Sequence, residues 1–435
     1  MIDYVVNSNA AFVFNNVPIK KGFPSAPVVR DDTVALAGYQ FAPWGSNNLY
    51  PQEVYKAAKR STIVPSAIKK QVELLVAAGY RIVQVDYDSS NLEERPAVGG
   101  KVSEIHKFLE RTNYNAYITE AANDLYWYAN FFPEVVRVKD KIVAVSAQEA
   151  MFSRFSKQNQ YGFIEKCYVS ANWELLSSTI DKTVLEIPVI DRYFDSAEDM
   201  RGRKGDRFIY PVSFPSPGAT FYQLAPWHSA IESKWLKFTN AIPSFKDAVL
   251  KNQMSIKYLV EIASQYWPAK YPNWHNWGEN EQREKVDEEK RSIELHLTGD
   301  ENAMKAWFVA TSLNSLDPTQ AIRYINIQKI EGNIQDAIYN EDSQEGASHL
   351  LYSLGIPASL IGNTPGKGGM GAGSGSDVRE HLNLYLYSIK PHAELINEVF
   401  NNLVFPYNGW GDYKIRFNTP YLSTLNQVNE GDRLL

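Results

Sequence analysis

The spacing of apolar and polar positions changes several times along the chain, and each change marks an element. Residues 1–50 are irregular and turn-rich, ending in Trp44-Gly45-Ser46-Asn47-Asn48-Leu49-Tyr50-Pro51. A short helix is expected over 52–59. A second is expected over 65–79, with proline at its entry and glycine at its exit. Residues 115–130 read as an amphipathic helix. FFPEVVRV and KIVAVSA then alternate apolar with polar on either side of Lys139-Asp140, the mark of a hairpin. Residues 151–221 read as short strands and loops. They hold the basic run RGRKGDR (201–207), taken as a solvated turn, with a phosphate contact as the alternative.

From Ala225 the period lengthens. Ile231, Trp235, Phe238, Ile242, Phe245 and Val249 are spaced 4, 3, 4, 3, 4, a repeat that draws one narrow apolar seam along a helix. A single helix over 228–253 would extend about 39 Å, with a kink expected at Pro243. A helix packed beside a neighbouring copy and an ordinary core helix both fit this spacing. A strand follows over 254–262. Then Tyr266, Trp267, Tyr271, Trp274 and Trp277 are interspersed with Pro268 and Pro272. Exposed on a proline-stiffened loop they form a docking surface; tucked under the helix they form a satellite core. Residues 279–297 read as a highly charged helix, with acid-first pairs Glu279/Arg283, Glu281/Lys285 and Asp287/Arg291 four apart. Strand-like runs over 305–311 and 322–330 flank Ser312 to Ala321. Residues 333–354 make a helical pattern broken at Gly346, and Gly355-Ile356-Pro357 and a Gly/Ser-rich linker over 363–376 follow. A long helix over 377–403 should bend near Tyr387 because of Pro391, with Asp377 and Glu380 as a variant capping box. A last strand is expected over 413–417.

Composition narrows the chemistry. Lys and Arg total 44 against 50 Asp and Glu, a net charge of −6, which argues against tight binding by phosphate neutralisation but leaves a conduit open. No apolar run is long enough for a bilayer span, and the N-terminal residues lack a signal-peptide pattern, so a soluble, cytoplasmically made protein is expected. The aromatic fraction of 13% suits large interfaces or a tyrosine-rich core equally. Cys167 is the one cysteine, which excludes an intrachain disulfide and is read as a buried thiol. The seven histidines include no zinc-hydrolase pair, and the adjacent carboxylates Asp31-Asp32, Glu93-Glu94 and Glu288-Glu289 point in different directions on a helix or strand. TPGKGGMGAGSGS (364–376) resembles a phosphate loop only superficially, because Gly368 stands where the hydroxyl residue after Lys367 belongs. It reads as a flexible linker. No cofactor, metal or catalytic residue is expected.

Taken in order, these pieces resemble the portal proteins of tailed bacteriophages. Trp44-x-x-x-Asn48-Leu49-Tyr50-Pro51, before helices ending in Ala77-Ala78-Gly79-Tyr80-Arg81-Ile82, is similar to the opening of portals from phages of Bacteroides-type hosts. PEVVRVKDKIVAVSAQEAMFSR resembles the family's strand-turn-strand followed by an arginine. Leu354-Gly355-Ile356-Pro357-Ala358-Ser359-Leu360-Ile361-Gly362 resembles its G-V/I-P-x-x-L-hydrophobic-G pattern. The likeness runs from Trp44 to about Leu403. Gly346 inside the preceding helix, and the short stretch after Leu403, depart from the pattern and put a crown in doubt.

The resemblance implies an α+β portal fold with wing, stem helices, clip and tunnel-facing segment, in a ring of about twelve copies at one capsid vertex of a virion. Its parts are expected as wing (1–225), first stem helix (226–253), clip (254–278), second stem or clip helix (279–297), strand pair (298–331), wing-return helix and GIP motif (332–362), linker (363–376) and C-terminal helix and tail (377–435). The tunnel loop is expected over 312–320, with Ser312, Leu313, Asn314, Ser315 and Gln320. Tyr266, Trp267, Tyr271, Trp274 and Trp277 form the clip docking surface. Trp235, Phe238, Ile242, Phe245 and Val249 form the subunit interface, and Glu284, Asp287 and Glu288 face the channel. Partners implied are further copies of itself, the large terminase, a head-completion or neck adaptor protein, the major capsid protein and duplex DNA passing non-specifically, with no membrane. The rival readings are a channel-less head or neck protein and, more remotely, a nucleotide-hydrolysing enzyme using the glycine loop.

Overall fold

The computed structural model describes residues 3–7, 10–14, 38–77, 79–86, 93–176, 179–193, 195–253, 258–298, 312–313, 321–322, 324–329, 336–362 and 375–418. The chain divides into two compact units, one made of Met1–Ile242 with Ala337–Leu435, the other of Pro243–Asp336.

The first unit opens with β1 (Asp3–Asn7) and β2 (Ala10–Phe14), paired antiparallel. Helix α1 (Tyr50–Ala58) buries Pro51, Val54 and Ala58, one face at helical spacing. Helix α2 (Val64–Val76) starts where Ser61 Oγ accepts from the Ile63 and Val64 amides, at 3.2 and 3.3 Å. Gly79, at φ +66°, turns the chain into β3 (Tyr80–Asp86), which pairs with β4 (Glu93–Pro96). Helix α3 (Gly100–Arg111) was not foreseen; it buries only Ile105, Phe108 and Leu109, too few positions to stand out as a period. Helix α4 (Tyr114–Tyr128) is amphipathic as expected, with Asn115, Thr119, Glu120 and Asn123 exposed along one face, and is buried on all sides only in its last turn, Asp124–Tyr128.

The expected hairpin is present. Strands β5 (Asn130–Val138) and β6 (Lys141–Gln148) turn at Lys139, φ +55°. Next come β7 (Ser153–Phe155), β8 (Lys166–Val169) and β9 (Leu185–Pro188), which form a three-stranded antiparallel sheet. Helix α5 (Ser196–Arg201), capped by Asp195, leads into β10 (Arg207–Ile209) and β11 (Val212–Ser213), both pairing with β5. The run 201–207 is tied down. Arg137 donates to the carbonyls of Met200, Arg203 and Gly205, at 2.7, 2.8 and 2.5 Å. Arg203 pairs with Asp199, Arg201 with Glu198 and Arg207 with Glu134. The loop is a held turn with its arginines already neutralised, which leaves little for a phosphate.

The expected single helix over 228–253 is two. A short α6 (His228–Glu232) ends where Lys234 takes φ +68°, and α7 (Trp235–Gln253) starts afresh. A left-handed lysine breaks the i to i+4 ladder, so Ile231 leaves the seam. Pro243 lies inside α7.

In the second unit, β12 (Tyr258–Ile262) is followed by α8 (Tyr266–Lys270) and the long helix α9 (Glu279–Thr298). Strand β13 (Ser312–Leu313) pairs with β14 (Ala321–Ile322), and β15 (Ile325–Lys329) pairs antiparallel with β12. The strand-like run over 305–311 lies outside the described residues, as do 254–257.

Helix α10 (Asp336–Leu354) runs unbroken through Gly346, correcting the expected interruption. A Cβ at Gly346 would stand 2.6 Å from Thr239 Oγ1 on α7. The glycine permits a close helix crossing, beside which His349 stacks on Trp235 at 3.9 Å. Gly346→Val should therefore cost about 1–3 kcal/mol by overpacking, seen as a lower urea midpoint with unchanged slope. Gly355, at φ +67°, closes α10. The Ile356 amide reaches back to Leu351 O at 3.3 Å, and Gln71 of α2 caps Leu354 O at 2.8 Å. The GIP motif is thus a helix stop pinned to α2, followed by α11 (Ala358–Ile361).

Helix α12 (Gly375–Ser388) starts before Asp377, which therefore sits in the first turn and not at a capping position. The expected bend is a break at Ile389, with Pro391 opening α13 (Lys390–Val399). A π-turn over Phe400–Val404, α14 (Phe405–Tyr407) and β16 (Tyr413–Phe417) complete the unit, and β16 pairs with β3. Ile396, Val399, Phe400, Leu403, Val404 and Phe405 are all 0% exposed, so this C-terminal stretch is core. Two asparagines mimic strand pairing. Asn408 exchanges hydrogen bonds with the Ile142 amide and carbonyl, at 2.9 and 3.0 Å, and Asn401 does so with Ile415, at 2.8 and 3.2 Å. Both close sheet edges that would otherwise invite pairing.

Candidate functional site

Among the described residues, no group of three or more His, Cys, Asp or Glu is placed to hold a metal ion, and no helix is long and apolar enough to cross a membrane. Cys167 is buried, and burial pushes its thiol up to about 12, so it stays protonated. The glycine-rich stretch 363–374 lies outside the described residues. What the structure offers is a set of surfaces.

The aromatic run of the second unit is ordered and falls between the two expected readings, an exposed docking loop and a satellite core. Tyr266 is buried; Trp267, Tyr271, Trp274 and Trp277 are each half-buried. Trp267 and Trp274 stack at 5.5 Å with 19° between planes, Tyr271 lies 6.4 Å from Trp274, and Trp277 closes on both Tyr271 and Trp274 at 5.4 and 5.9 Å. Helix α9 locks this column in place. Gln282 Nε2 donates to Trp274 O at 2.7 Å and Trp277 O at 3.3 Å, while Glu289 accepts from Tyr266 Oη at 2.6 Å and Lys270 Nζ at 2.5 Å. The rings are part satellite core, part exposed rigid platform.

Burial pushes the Glu289 carboxyl up, but the hydrogen bonds from Lys270 and Tyr266 outweigh it and hold the group below its usual 4.5. A depressed carboxyl stabilises the fold above its unfolded pKa, and that stabilisation is lost as pH falls through the folded value. Tryptophan emission should therefore shift red below pH 4.5, and Glu289→Gln should shift it the same way at pH 7.

Helix α9 carries seven acidic against four basic residues. Glu284, Asp287 and Glu288 are exposed. Its ion pairs are Lys285–Glu288 at 2.6 Å and Asp287–Lys290 at 3.7 Å, not the expected acid-first pairs four apart. Neighbours three apart are equally near on a helix, and a few tenths of a kcal/mol decide between them. Of the tunnel-loop residues, Ser312 and Leu313 lie in β13, paired with β14, and Asn314, Ser315 and Gln320 lie outside the described residues. On α7, Phe238 and Phe245 are 40% and 50% exposed, while Trp235, Ile242 and Val249 are half-buried. The seam is an outward flank more than a core stripe.

Two features have a setting that the sequence does not show. One is Arg154, 0% exposed, which donates to Asn48, Gln52, Met151 and Ser153. The other is the basic end of α1, where Lys56, Lys59 and Arg60 are exposed with no carboxylate partner among the described residues. The run KAAKR was visible, but its lack of partners was not.

No protein-family model matches the chain, and no curated protein matches it. Solved structures do. A chain of the neck of an empty gene transfer agent particle, computed with C6 symmetry, is 13% identical with a TM-score of 0.57, covering 85% of this chain and 84% of that one. A chain of the native particle's neck, computed with C12 symmetry, is 14% identical with a TM-score of 0.54 over 91% and 89%. A chain of the native particle's virion is 13% identical with a TM-score of 0.53 over 85% and 83%. At this identity the likeness is one of fold alone: a mixed helix-and-sheet chain similar to chains of gene transfer agent particles. The expected kinship with phages of Bacteroides-type hosts finds no support in these neighbours.

Proposed function

We propose that this chain is a portal subunit, one copy of a ring that forms the DNA channel at one vertex of a phage or phage-like particle. The observation that carries this reading is the shared fold, over 85–91% of the chain, with particle-neck chains whose necks were computed with C6 and C12 symmetry. The first unit then serves as the wing, α7 and α9 as stem helices, the ring platform of α8 and its loop as part of the clip, and the β13–β14 hairpin as the base of the tunnel loop. Trp235, Phe238, Ile242, Phe245 and Val249 contribute the apolar part of a heterologous contact in a ring of about twelve copies.

The work is passage without turnover. Exposed acids such as Glu284, Asp287 and Glu288 repel phosphate, so duplex DNA slides without adhering while a separate motor, the large terminase, moves it. The aromatic platform docks that motor first and a head-completion or neck adaptor protein later, and the wing meets the major capsid protein. Gold label on a tagged chain in assembled particles tests the placement. Label at the single tail-bearing corner is expected, and label spread over the shell overturns the reading. A channel-less neck protein would share the label, but its rings would lack an open pore.

A further inference from the structure

Helix α7 has one side against α1 and an adjacent side against α10. Asn240 Nδ2 donates to Ala57 O of α1 at 3.3 Å, and Thr239 meets Gly346 of α10. At about 100° per residue, Lys237 falls on the outward side next to α1, and Phe238 on the outward side next to α10. Lys237 thus extends the exposed basic end of α1, giving a flank of Lys56, Lys59, Arg60 and Lys237. Lys59 lies over the Tyr55 ring at 6.0 Å, and none of the four makes an ion pair among the described residues. On α10, Glu341, Glu345 and Tyr352 share one stripe, spaced four and seven apart and turned away from Gly346. Both glutamates are exposed with no cationic partner among the described residues, and Tyr352 is 89% exposed.

Resting on the ring reading above, we propose that the Lys56/Lys59/Arg60/Lys237 flank of one copy docks on the Glu341/Glu345/Tyr352 stripe of the next copy. A closed ring needs two different, complementary patches on each subunit. A chain of net charge −6 repels its own copies unless opposite charges meet at the contact. These two sets are opposite in sign, lie on one compact unit beside the same helix, and are not neutralised by any described residue of the chain. The exposed tyrosine ring offers the cations a π-face between carboxylates. A polyanion such as DNA would neutralise the cations but leave the glutamate stripe unanswered, so a second copy accounts for more of what is seen.

The test reverses each patch in the full chain. One variant carries Lys56→Glu, Lys59→Glu and Arg60→Glu; the other carries Glu341→Lys and Glu345→Lys. Mass photometry at a concentration where the unaltered chain is closed should show ring yield falling at least tenfold for each variant alone, with unchanged circular dichroism. Mixing the two variants should restore rings of alternating copies, since each then meets its complement. Undiminished rings from either variant alone overturn the proposal. So does a basic-flank variant that keeps its rings but loses DNA retention, which assigns the flank to polyanion. An unaltered chain that never forms rings removes the portal reading itself, and this pairing with it.

Discussion

Arg154→Ala should leave the first unit unable to fold stably at 37 °C. Arg154 is wholly buried, and burial lowers its guanidinium only to about 10, so it is charged at neutral pH. Its Nε donates to Asn48 Oδ1 at 2.6 Å. Its terminal nitrogens donate to the carbonyls of Asn48, Met151 and Ser153, at 2.8, 3.1 and 2.8 Å, and to Gln52 Oε1 at 3.3 Å. The plane sits between Trp44 and Trp173, 5.5 and 5.2 Å from their rings. Truncation strands several buried acceptors, at about 1–3 kcal/mol each, and opens a cavity between two indoles. The loss should be about 4 kcal/mol or more, a large part of the ~5–15 kcal/mol net stability of a domain. Thermal melting checks it. Arg154→Lys should recover only part, since one ammonium cannot reproduce the planar fork.

The second large effect belongs to Trp274. It contacts Trp267, Tyr271 and Trp277, and its carbonyl accepts from Gln282. Trp274→Ala removes the middle of the column, so the remaining rings lose their common support. If the platform docks motor and adaptor, a central tryptophan there is a hot spot worth about 2 kcal/mol or more, roughly thirtyfold or more in affinity. Packaging in a complementation assay should fall with it, while ring yield and the melting of the first unit stay unchanged. Unaltered motor and adaptor binding in Trp267→Ala, Trp274→Ala and Trp277→Ala would falsify the docking role.

Elements with a long, regular period were legible beforehand. The helices near 65–79, 115–130 and 279–297 and the hairpin at Lys139-Asp140 announce themselves by spacing and by turn residues. What failed to show was set by distant contacts. Lys234 breaks the seam helix by taking a left-handed conformation that its local sequence does not advertise. Gly346 reads as a breaker in one dimension and is a close-approach residue in three. Asp377 looked like a cap because it precedes a periodic run, yet the helix begins at Gly375.

The resembling motifs were visible as strings, but their physical role was not. Asn48 and Arg154 come from separate stretches and meet in one buried network. The GIP segment is a helix stop held by Gln71. Both hold the frame, and neither is chemistry. The docking and channel residues rest on residue type and on the resemblance. The structure gathers the aromatic set and leaves Asn314, Ser315 and Gln320 outside the described residues.

The central claim is that copies of this chain close around a hollow axis. Particle imaging of the purified full-length protein across a concentration series tests it most directly. Rings of about twelve copies with an open central pore wide enough for duplex DNA are expected. Single compact particles at every concentration, or closed discs without a pore, would contradict it.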